Sequence, residues 1–402
     1  MKWLKKIYWR TKAFLAQLIY GFASKKLILI GVTGTDGKTT TTTLIYHILR
    51  QLGQKADYIS TVGANVAGKS SDIGFHVTTP RFFALHRFFR QSVRSGAKYF
   101  VLEVTSHAIE QERVWGCHFK IAVLTNITNE HLDYHKSFSN YAKTKLKLIN
   151  KAQMAVINSE TSTFYRYQKL ITNPNVWYTS LHKKTDTPYS QLLKLGLRTD
   201  FVDFEKENVL LSFTVARILG FDAKKIVKAI NSFQRIKGRL DYFEKQGRHF
   251  LIDFAHTPNA YQQLYKAIDL KRPKRIIHVF GCAGERDQFK RSKMGEIAAA
   301  HADMLIITEE DYRREKLESI NKMIEQGIKK HSQHRQNKTY FFVPSRQEAI
   351  DLAVSKARSG DLILLTGKAH EKSLARGKRE YPWDEYAAVD QALVKLKQPS
   401  NR

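Results

Sequence analysis

Cysteine is nearly absent from this sequence: Cys117 and Cys282 are the only two among 402 residues. They lie far apart along the chain, so no disulfide framework is expected, and a reducing cytoplasm fits. At this length we expect two or three domains. A hydrophobic fraction of 43% is enough to fill their cores.

Acidic residues are also scarce, 37 against 67 lysines and arginines, which gives a formal net charge of +30. This excess suits anionic partners such as nucleotides, acidic substrates, nucleic acid or an anionic membrane face, although a lysine-rich proteome would give the same balance. A nucleic-acid-binding ATPase would also need interleaved aromatic and basic patches or a recognised binding fold. Neither is found, so we expect no nucleic-acid partner.

A long hydrophobic run is missing too. In residues 1–24 basic residues are mixed with apolar ones, and the apolar part is interrupted by Gln17 and then by Lys25 and Lys26. It is therefore too short to span a bilayer. The pattern predicts a basic amphipathic helix, which would either lie on a membrane surface as a peripheral contact or pack on the protein core.

The most informative stretch is residues 26–40, where a short apolar run ends in a glycine-rich turn and Gly37-Lys38-Thr39 opens a segment with helical spacing. Glycines let backbone N–H groups curl around a polyphosphate, and the helix N-terminus adds positive potential. Lys38 could then reach the β- and γ-phosphates, and Thr39 could ligate Mg²⁺. Val32 stands where the strict phosphate-loop pattern has its first glycine. The alternative is a glycine-rich turn with no ligand.

This loop also bears on the N-terminal segment. A signal peptide is a rival interpretation, because a basic start precedes an apolar stretch that ends in Ala23-Ser24. We reject it, since cleavage there would export an ATP-binding loop to a compartment without ATP.

Residues 99–104 predict a buried strand that ends near an acid, Glu103. The carboxyl ends of parallel strands meet at one edge of a sheet, so this carboxylate would lie beside the phosphate loop. A carboxylate there is costly without a cation, and Mg²⁺ is the natural partner. The alternative is an N-cap for the next helix.

A second apolar strand is predicted at residues 121–126, and the stretch after it, which contains Asn, His and Asp, reads as an active-site loop. The helix that follows, residues 139–149, carries Lys143, Lys145 and Lys147. Three lysines on one helix usually indicate a solvated face, and their spacing singles out none of them.

Seven motifs between residues 26 and 388 resemble those of the Mur ligase family, the ATP-dependent amide ligases of peptidoglycan precursor synthesis, and most of all its MurE branch. The resemblance rests on residues 33–39 (family TGTNGKT, with Asp36 for Asn), 102–108 (MEVSSHA), 125–135 (TNLTRDHLDYH), Tyr141 with Lys145 (Tyr-x-x-x-Lys), 252–259 (VDYAHTPD), 279–287 (VFGCGGDRD) and 367–371 (GKGHE). Their agreement in order argues against a chance match.

The resemblance implies an α/β fold, with a central P-loop-type ATPase domain that has a mostly parallel sheet and a C-terminal Rossmann-like α/β domain. We place the basic N-terminal segment at residues 1–24, the ATP-binding domain at 25–235 and the amino-acid-binding domain at 236–402. Strands of the C-terminal domain are predicted at residues 250–254, 275–280, 304–308, 340–343 and 362–366.

The resemblance also implies ATP and Mg²⁺ as cofactors and a set of catalytic residues. Residues that would hold the nucleotide are Gly34, Thr35, Asp36, Gly37, Lys38, Thr39, Thr40, Asn126, Asn208, Arg239 and Asp253. The metals would be bound by Thr39, Glu103, His131 and Lys145. The family's lysine at the last position is carbamylated, which turns a cation into the oxygen ligand that Mg²⁺ prefers.

The implied reaction activates a substrate carboxylate as an acyl-phosphate, which an incoming amine attacks to form an amide. The muramyl dipeptide would contact Thr78, Thr79, Thr105, Gln111 and Arg113, and the amino acid would contact Arg286, Arg313, Gly367 and Glu371. His256 and Thr257 lie in a matched motif, where a structural role is nearly as plausible. We expect a monomer.

The sequence departs from the branch in two places. Typical members have a separate N-terminal domain for the UDP end of the substrate, whereas residues 1–25 alone precede the first strand here. UDP recognition would then come from a partner or be replaced by recognition of the muramyl peptide alone. The family's DNPR is changed to Glu310-Asp311-Tyr312-Arg313. Because the arginine remains, we expect meso-diaminopimelate ahead of L-lysine.

Two alternatives stay open at this point. One is a related ligase that acts on another carboxylate, such as a lipid-linked precursor or a folate-type polyglutamate. The other is a non-catalytic Mur-like module that works with a partner, against which the intact Lys38, Glu103, His131 and Lys145 argue.

Overall fold

The computed structural model describes residues 2–72, 74, 77–130, 132–183 and 185–397. The chain divides into two compact units, Met1–Gln234 and Arg235–Arg402. None of the described helices is both long enough and apolar enough to cross a membrane. Neither cysteine is in a disulfide, as the sequence predicts.

A mostly parallel sheet organises the first unit. Within the described residues it has nine strands, in the order β4-β3-β2-β5-β1-β6-β7-β8-β9. Its antiparallel pairings are those of β3 with β2 and with β4. The strands are β1 (Ile28–Thr33), β2 (Ala56–Ser60), β3 (Gly63–Val66), β4 (Lys69–Ser71), β5 (Tyr99–Glu103), β6 (Phe119–Leu124), β7 (Met154–Asn158), β8 (Val176–Ser180) and β9 (Thr187–Pro188).

The three central strands are apolar on both faces because helices cover both sides of the sheet. In the register, Val32 of β1 pairs with Glu103 of β5, and Thr33 pairs with Leu124 of β6. All three strands therefore end together at one edge. The helices are α1 (Lys2–Ile19), α2 (Lys38–Gln51), α3 (Phe82–Arg94), α4 (Ser106–Glu110), α5 (Leu132–His135), α6 (Phe138–Lys151), α7 (Tyr189–Lys194), α8 (Asp203–Ile218) and α9 (Ala223–Asn231), with short 3₁₀ turns at Ala23–Lys26, Phe164–Arg166 and Gln168–Leu170.

The N-terminal segment is a helix, α1, as the pattern predicts. Its small residues Ala13 and Ala16 are buried in a cluster with Phe82, against which Trp9 and Trp115 pack. Packing on the core is thus part of its role. Most of its large apolar side chains are exposed nevertheless.

The second unit is also α/β. Within the described residues its main sheet has six strands in the order β10-β11-β15-β12-β13-β14, parallel except for β10. The strands are β10 (Asp241–Lys245), β11 (Arg248–Asp253), β12 (Ile276–Phe280), β13 (Met304–Ile307), β14 (Tyr340–Phe342) and β15 (Leu362–Thr366), and a separate hairpin is formed by β16 (Ser373–Arg376) and β17 (Arg379–Pro382).

Apolar clusters cover both faces of this second sheet. The helices of this unit are α10 (Pro258–Asp269), α11 (Phe289–His301), α12 (Leu317–Ile328), α13 (Arg346–Lys356) and α14 (Glu385–Lys397). A mostly parallel first sheet and a Rossmann-like second unit confirm the predicted fold class.

Candidate functional site

The predicted phosphate loop joins β1 to α2. Gly34 has a φ of +153° and Gly37 a φ of +81°, conformations that L side chains rarely adopt. A Cβ added to Gly34 would lie 1.8 Å from Thr125 Oγ1. Glycine is therefore required there for two reasons, backbone conformation and the close approach of the chain that follows β6.

Residues after β6 hold this loop in place. The Asn126 side-chain oxygen accepts hydrogen bonds from the backbone N–H of Thr35 at 3.2 Å and of Asp36 at 2.9 Å. Thr125 Oγ1 donates to the Asp36 carbonyl at 2.6 Å. The adjacent strand thus fixes the loop conformation.

The first residues of α2 face the same edge of the sheet. Lys38 Nζ donates to the Thr35 carbonyl at 2.7 Å, across the loop. Thr39 Oγ1 donates to Glu103 Oε2 at 3.0 Å. Thr40, in the same turn, is half-buried.

The Glu103 carboxylate is buried and accepts two further hydrogen bonds. Thr61 donates its backbone N–H at 2.9 Å and its hydroxyl at 3.0 Å. The alternative role of Glu103 as a helix N-cap is wrong, because Thr105 caps α4 by accepting from Ala108 N. A carboxylate and a threonine hydroxyl in contact are oxygen ligands of the kind that Mg²⁺ binds.

Lys145 is buried on α6, and its Nζ donates to the Gly34 carbonyl at 2.6 Å. It also lies 4.5 Å from the centre of the Tyr141 ring. Burial holds the pKa of Lys145 well below its usual range, the nearby Lys38 lowers it further, and Glu130 opposes the shift. A solvated face, which the lysine spacing indicates, is wrong for this residue.

The neighbouring lysines of α6 are different. Lys143 is exposed, and Lys147 pairs with Glu110 at 3.2 Å. Burial alone therefore singles out Lys145 among the three.

His131, the other predicted metal ligand, lies outside the described residues. Nearby, Nε2 of His135 is 3.1 Å from Ser106 Oγ. Burial, with a contribution from Lys145, lowers the pKa of His135 to about 4. Among the described residues there is no group of three or more His, Cys, Asp or Glu side chains that could hold a metal ion on its own.

Four of the predicted acceptor-binding residues are linked by hydrogen bonds. Thr79 Oγ1 donates to the Glu103 carbonyl at 2.8 Å and accepts from Thr105 N at 3.1 Å. The Arg113 guanidinium donates to the Thr79 carbonyl at 2.6 Å and to Gln111 Oε1 at 2.8 and 3.1 Å. These four residues therefore lie beside the end of β5, the strand that carries Glu103.

Thr78 is the fifth member of this cluster, and Arg113 carries its positive charge. The Thr78 hydroxyl is 3.1 Å from that of Thr61, which itself binds Glu103. Burial and the nearby Arg81 lower the pKa of Arg113. Its hydrogen-bond acceptors, a carbonyl and an amide oxygen, are neutral. The guanidinium charge therefore favours an anionic group nearby.

Asn208, on α8, contacts the phosphate loop. Its side-chain oxygen accepts from Thr41 Oγ1 at 3.1 Å and would lie 2.5 Å from a Cβ on Gly37. The first unit thus brings together at one edge all of its predicted nucleotide residues.

In the second unit, Asp253 ends β11. Its two oxygens accept from the backbone N–H groups of Leu240 at 2.6 Å and Ala255 at 2.7 Å. Burial raises the pKa of Asp253, and Arg239 opposes that shift. The Arg239 guanidinium is 4.6 Å from the centre of the Phe254 ring. Arg239 and Asp253 are therefore neighbours.

One of the predicted amino-acid residues, Glu371, contacts a buried lysine, Lys368. Lys368 Nζ donates to Asp311 Oδ1 at 2.8 Å and to Glu371 Oε2 at 2.5 Å. Arg313 donates to the Gly284 carbonyl at 2.9 Å, and its guanidinium is 3.7 Å from Asp311 Oδ2.

Gly367 and Arg286 belong to the same set. Gly367 has a φ of +98°, and a Cβ there would lie 2.7 Å from Glu310 Oε2. Arg286 is exposed. Thr257, from the matched motif, caps α10 by accepting from Ala260 N, which is the structural role left open for it.

Three residues that the sequence analysis did not select contribute to these sites. Thr61 binds both oxygens of Glu103, Glu130 is a charged neighbour of Lys145, and Lys368 is paired with two carboxylates. Glu130 and Lys368 lie inside matched motifs and could have been found. Thr61 could not, because only the strand order brings β2 beside β5.

Comparison with known proteins agrees with this geometry. Residues 32–216 match the Mur ligase middle domain, and residues 238–369 match the Mur ligase glutamate ligase domain. A UDP-N-acetylmuramoyl-L-alanyl-D-glutamate–2,6-diaminopimelate ligase of Caldanaerobacter subterraneus is 35% identical over 404 residues, 95% of this chain and 81% of that protein. A UDP-N-acetylmuramyl-tripeptide synthetase of Borreliella burgdorferi is 34% identical over 95% of this chain and 79% of its own length.

Solved structures lead to the same family. One of a UDP-N-acetylmuramoyl-L-alanyl-D-glutamate–2,6-diaminopimelate ligase is 28% identical with a TM-score of 0.58, and the match covers 92% of this chain and 79% of that one. The fold is also shared with MurF from Acinetobacter baumannii, which is 13% identical with a TM-score of 0.67 over 96% of this chain and 80% of that one. This protein is therefore a member of the Mur ligase family.

Proposed function

We propose that this protein is an ATP-dependent amide ligase that adds a diamino acid to a muramyl-L-Ala-D-Glu peptidoglycan precursor. Family membership supports the reaction class, and the names of the relatives support the substrates. An acceptor carboxylate takes the γ-phosphoryl group of ATP, which gives an acyl-phosphate and ADP. The amine of the diamino acid then attacks the acyl carbon, inorganic phosphate leaves, and the amide forms.

The observation that carries this proposal is the 3.0 Å hydrogen bond between Thr39 and Glu103 at the phosphate loop. A hydroxyl and a carboxylate fit Mg²⁺, so these two side chains would hold it. The metal held there would supply positive charge that offsets the charge of the phosphates during phosphoryl transfer. Lys38 would exchange the Thr35 carbonyl, a neutral acceptor, for phosphate oxygens. The ammonium group would bind these anionic oxygens more strongly than it binds the carbonyl.

We propose that Lys145 is carbamylated and, with His131, holds a second Mg²⁺. Carbamylation needs a neutral amine. Its nitrogen lone pair attacks CO₂, and the nitrogen then loses a proton. Burial favours that form by lowering the pKa of Lys145. The amine lies 2.6 Å from the Gly34 carbonyl, so the carbamate would adjoin the phosphate loop.

The acceptor would be held through its anionic groups by Arg113, with Thr78, Thr79, Thr105 and Gln111 around it. Arg113 supports this role because its hydrogen-bond acceptors are neutral oxygens.

For the amino acid we propose meso-diaminopimelate ahead of L-lysine, gripped through its distal carboxylate by Arg313. Asp311 could neutralise Arg313, but Lys368 donates to Asp311 at 2.8 Å as well as to Glu371 at 2.5 Å, so part of the Asp311 charge is offset. The planar guanidinium fork of Arg313 suits bidentate binding of the distal carboxylate of diaminopimelate, a group that the side chain of L-lysine lacks. Arg286, Gly367 and Glu371 would complete this site.

We assign ATP binding to residues 25–235, with Asn208 as a nucleoside contact, and amino-acid binding to residues 236–402. The enzyme would act as a monomer, because one chain supplies every residue named here. It would act in the cytoplasm, where ATP is present.

The test is ligation by Lys145→Ala with Lys143→Ala as the matched control. Lys143 is exposed on the same helix, so its loss removes the same side chain without touching the buried position. We expect Lys145→Ala to lose about 10²–10³ in rate, as when one preorganised charge-stabilising group is removed. Short carboxylic acids should restore part of the rate by supplying the missing oxygen ligand.

The result is read as amide product by mass spectrometry at saturating ATP, Mg²⁺ and bicarbonate. Full activity in Lys145→Ala would contradict the role given to this lysine. Equal losses in Lys145→Ala and Lys143→Ala would contradict it as well.

A further inference from the structure

Helix α1 has two faces with different contacts. On its inner face Ala13 and Ala16 are fully buried against Phe82. Gln17, also buried, donates to the Trp115 carbonyl at 3.1 Å. This face fixes the helix to the first unit through small side chains, which let the two backbones come close.

The outer face carries large apolar side chains that remain in solvent. They are Trp3, Leu4, Ile7, Tyr8, Phe14, Leu15, Leu18 and Ile19, with exposed fractions from 43% to 69%. Successive residues of an α-helix are about 100° apart, so these eight form one continuous arc of about 160°. The arc is opposite Ala13 and Ala16. Single exposed apolar residues are ordinary, but a contiguous patch of this kind marks an interaction surface.

Cations flank this arc on both sides. By the same helical geometry Lys5 and Lys12 lie along one edge, and Lys6 and Arg10 lie along the other. The helix contains no Asp or Glu. One of the four, Arg10, pairs with Glu112 at 3.2 Å.

The charge continues beyond the helix. Lys25 and Lys26 are exposed in the turn that follows it. Arg90 Nη1 lies 3.5 Å from the position of a Cβ on Gly21, at the end of α1. An apolar strip bordered by cations is therefore part of a wider basic surface.

We propose that α1 lies in the surface of an anionic phospholipid bilayer, with its apolar arc among the acyl chains and its flanking cations at the lipid phosphates. An apolar arc with basic edges and interfacial aromatics such as Trp3 and Tyr8 is the pattern of a helix that lies in the membrane plane. A second copy of this chain fits less well, because a symmetric contact would bring two such basic edges together.

Helix α1 contacts the segment around Arg113, a proposed acceptor-binding residue. Arg10 contacts Glu112, and Gln17 contacts Trp115, on either side of Arg113. Docking would thus place that segment next to the membrane surface. The lipid contact itself does not depend on the proposed reaction, so each can fail separately.

The test is flotation of the full chain with phosphatidylcholine vesicles that contain either 30% or no phosphatidylglycerol. We expect binding to the anionic vesicles only, and loss of binding at 0.5 M salt. Lys5→Gln with Lys12→Gln should weaken binding about thirty-fold, since each basic residue near such a surface contributes about a fivefold factor. Brominated lipids should quench tryptophan fluorescence less in Trp3→Phe than in the wild type.

A second pair of variants tests the apolar arc. Ile7→Ser with Leu18→Ser removes two side chains from its centre and should weaken binding at least about tenfold. The control is Leu193→Ser with Leu270→Ser, two exposed leucines outside α1. All variants should keep the wild-type melting temperature within a few degrees, because every replaced side chain is at least partly exposed.

Three results would overturn the proposal. The first is equal binding to neutral and anionic vesicles, and the second is an equal loss of binding in the arc and control variants. The third is an absence of vesicle binding together with a concentration-dependent dimer, which the double variant Ile7→Ser with Leu18→Ser abolishes. The last result would assign the arc to a second copy of the chain.

Discussion

Replacement of Gly34 by alanine tests whether the phosphate loop depends on close packing against the chain after β6. A Cβ at this position would lie 1.8 Å from Thr125 Oγ1 and 3.1 Å from Asn126 N. Thr125 would have to move, and its 2.6 Å hydrogen bond to the Asp36 carbonyl would break. The same substitution places alanine at a φ of +153°.

Three effects add in this variant. Overpacking costs about 1–3 kcal/mol, the lost hydrogen bond about 1 kcal/mol and the backbone strain about 1–3 kcal/mol. We therefore expect a loss of about 3–7 kcal/mol, a large share of the ~5–15 kcal/mol by which a domain is stable. ATP affinity should fall as well, because the displaced residues hold the loop.

The assay is the free energy of unfolding in urea, together with calorimetric titration of ATP. Gly68→Ala is the control for strain alone, since Gly68 has a φ of +74° and nothing lies within 4 Å of its added Cβ. Thr125→Ala removes the atom that would clash. The double variant should therefore be less destabilised than the sum of the two singles by about 1–3 kcal/mol. If Gly34→Ala loses no more stability than Gly68→Ala, this account of the loop is refuted.

Three further predictions concern single side chains. Lys38→Ala should lower the ligation rate about 10²–10³-fold, measured as ADP release, because one charge-stabilising donor is removed. Glu103→Gln should raise the Mg²⁺ concentration needed for half-maximal rate, since an amide carries no charge; an unchanged Mg²⁺ titration would contradict the proposed ligand. Burial lowers the pKa of His86 to about 4, below the 6.5 of an unfolded histidine, so the folded state binds fewer protons between these values. Stability should thus fall by about 3 kcal/mol as pH drops through that window, and His86→Leu should abolish this loss in urea titrations compared with the wild type.

Much of the first unit could be predicted from local patterns. The apolar runs that became β1, β5 and β6 are continuous because both faces of these strands are covered, and the glycine-rich turn after β1 has a known physical cause. Glu103 could also be placed at the sheet edge, since parallel strands end together.

The partners of Glu103 could not be predicted. Thr61 reaches it only because β2 is beside β5, and strand order depends on long-range packing that no local pattern encodes. Residues 159–198 carry little periodicity. The structure places α7 there, together with β8 and β9, and these two strands extend the sheet at one edge.

Lys145 shows the same limit for side chains. Its spacing on α6 matches that of Lys143 and Lys147, but only Lys145 is buried. Helical periodicity predicts which residues share a face, whereas burial depends on what covers that face. In this case the family motif identified the residue and the pattern did not.

The most direct measurement is the mass of the product formed from muramyl-L-Ala-D-Glu precursor, ATP, Mg²⁺ and an equimolar mixture of meso-diaminopimelate and L-lysine. We expect one molecule of ADP per amide and a product heavier by diaminopimelate minus water, and we expect Arg313→Ala to lose the preference for diaminopimelate over L-lysine. Formation of AMP from ATP, or hydrolysis of ATP with no amide product from either amino acid, would contradict the proposed ligation.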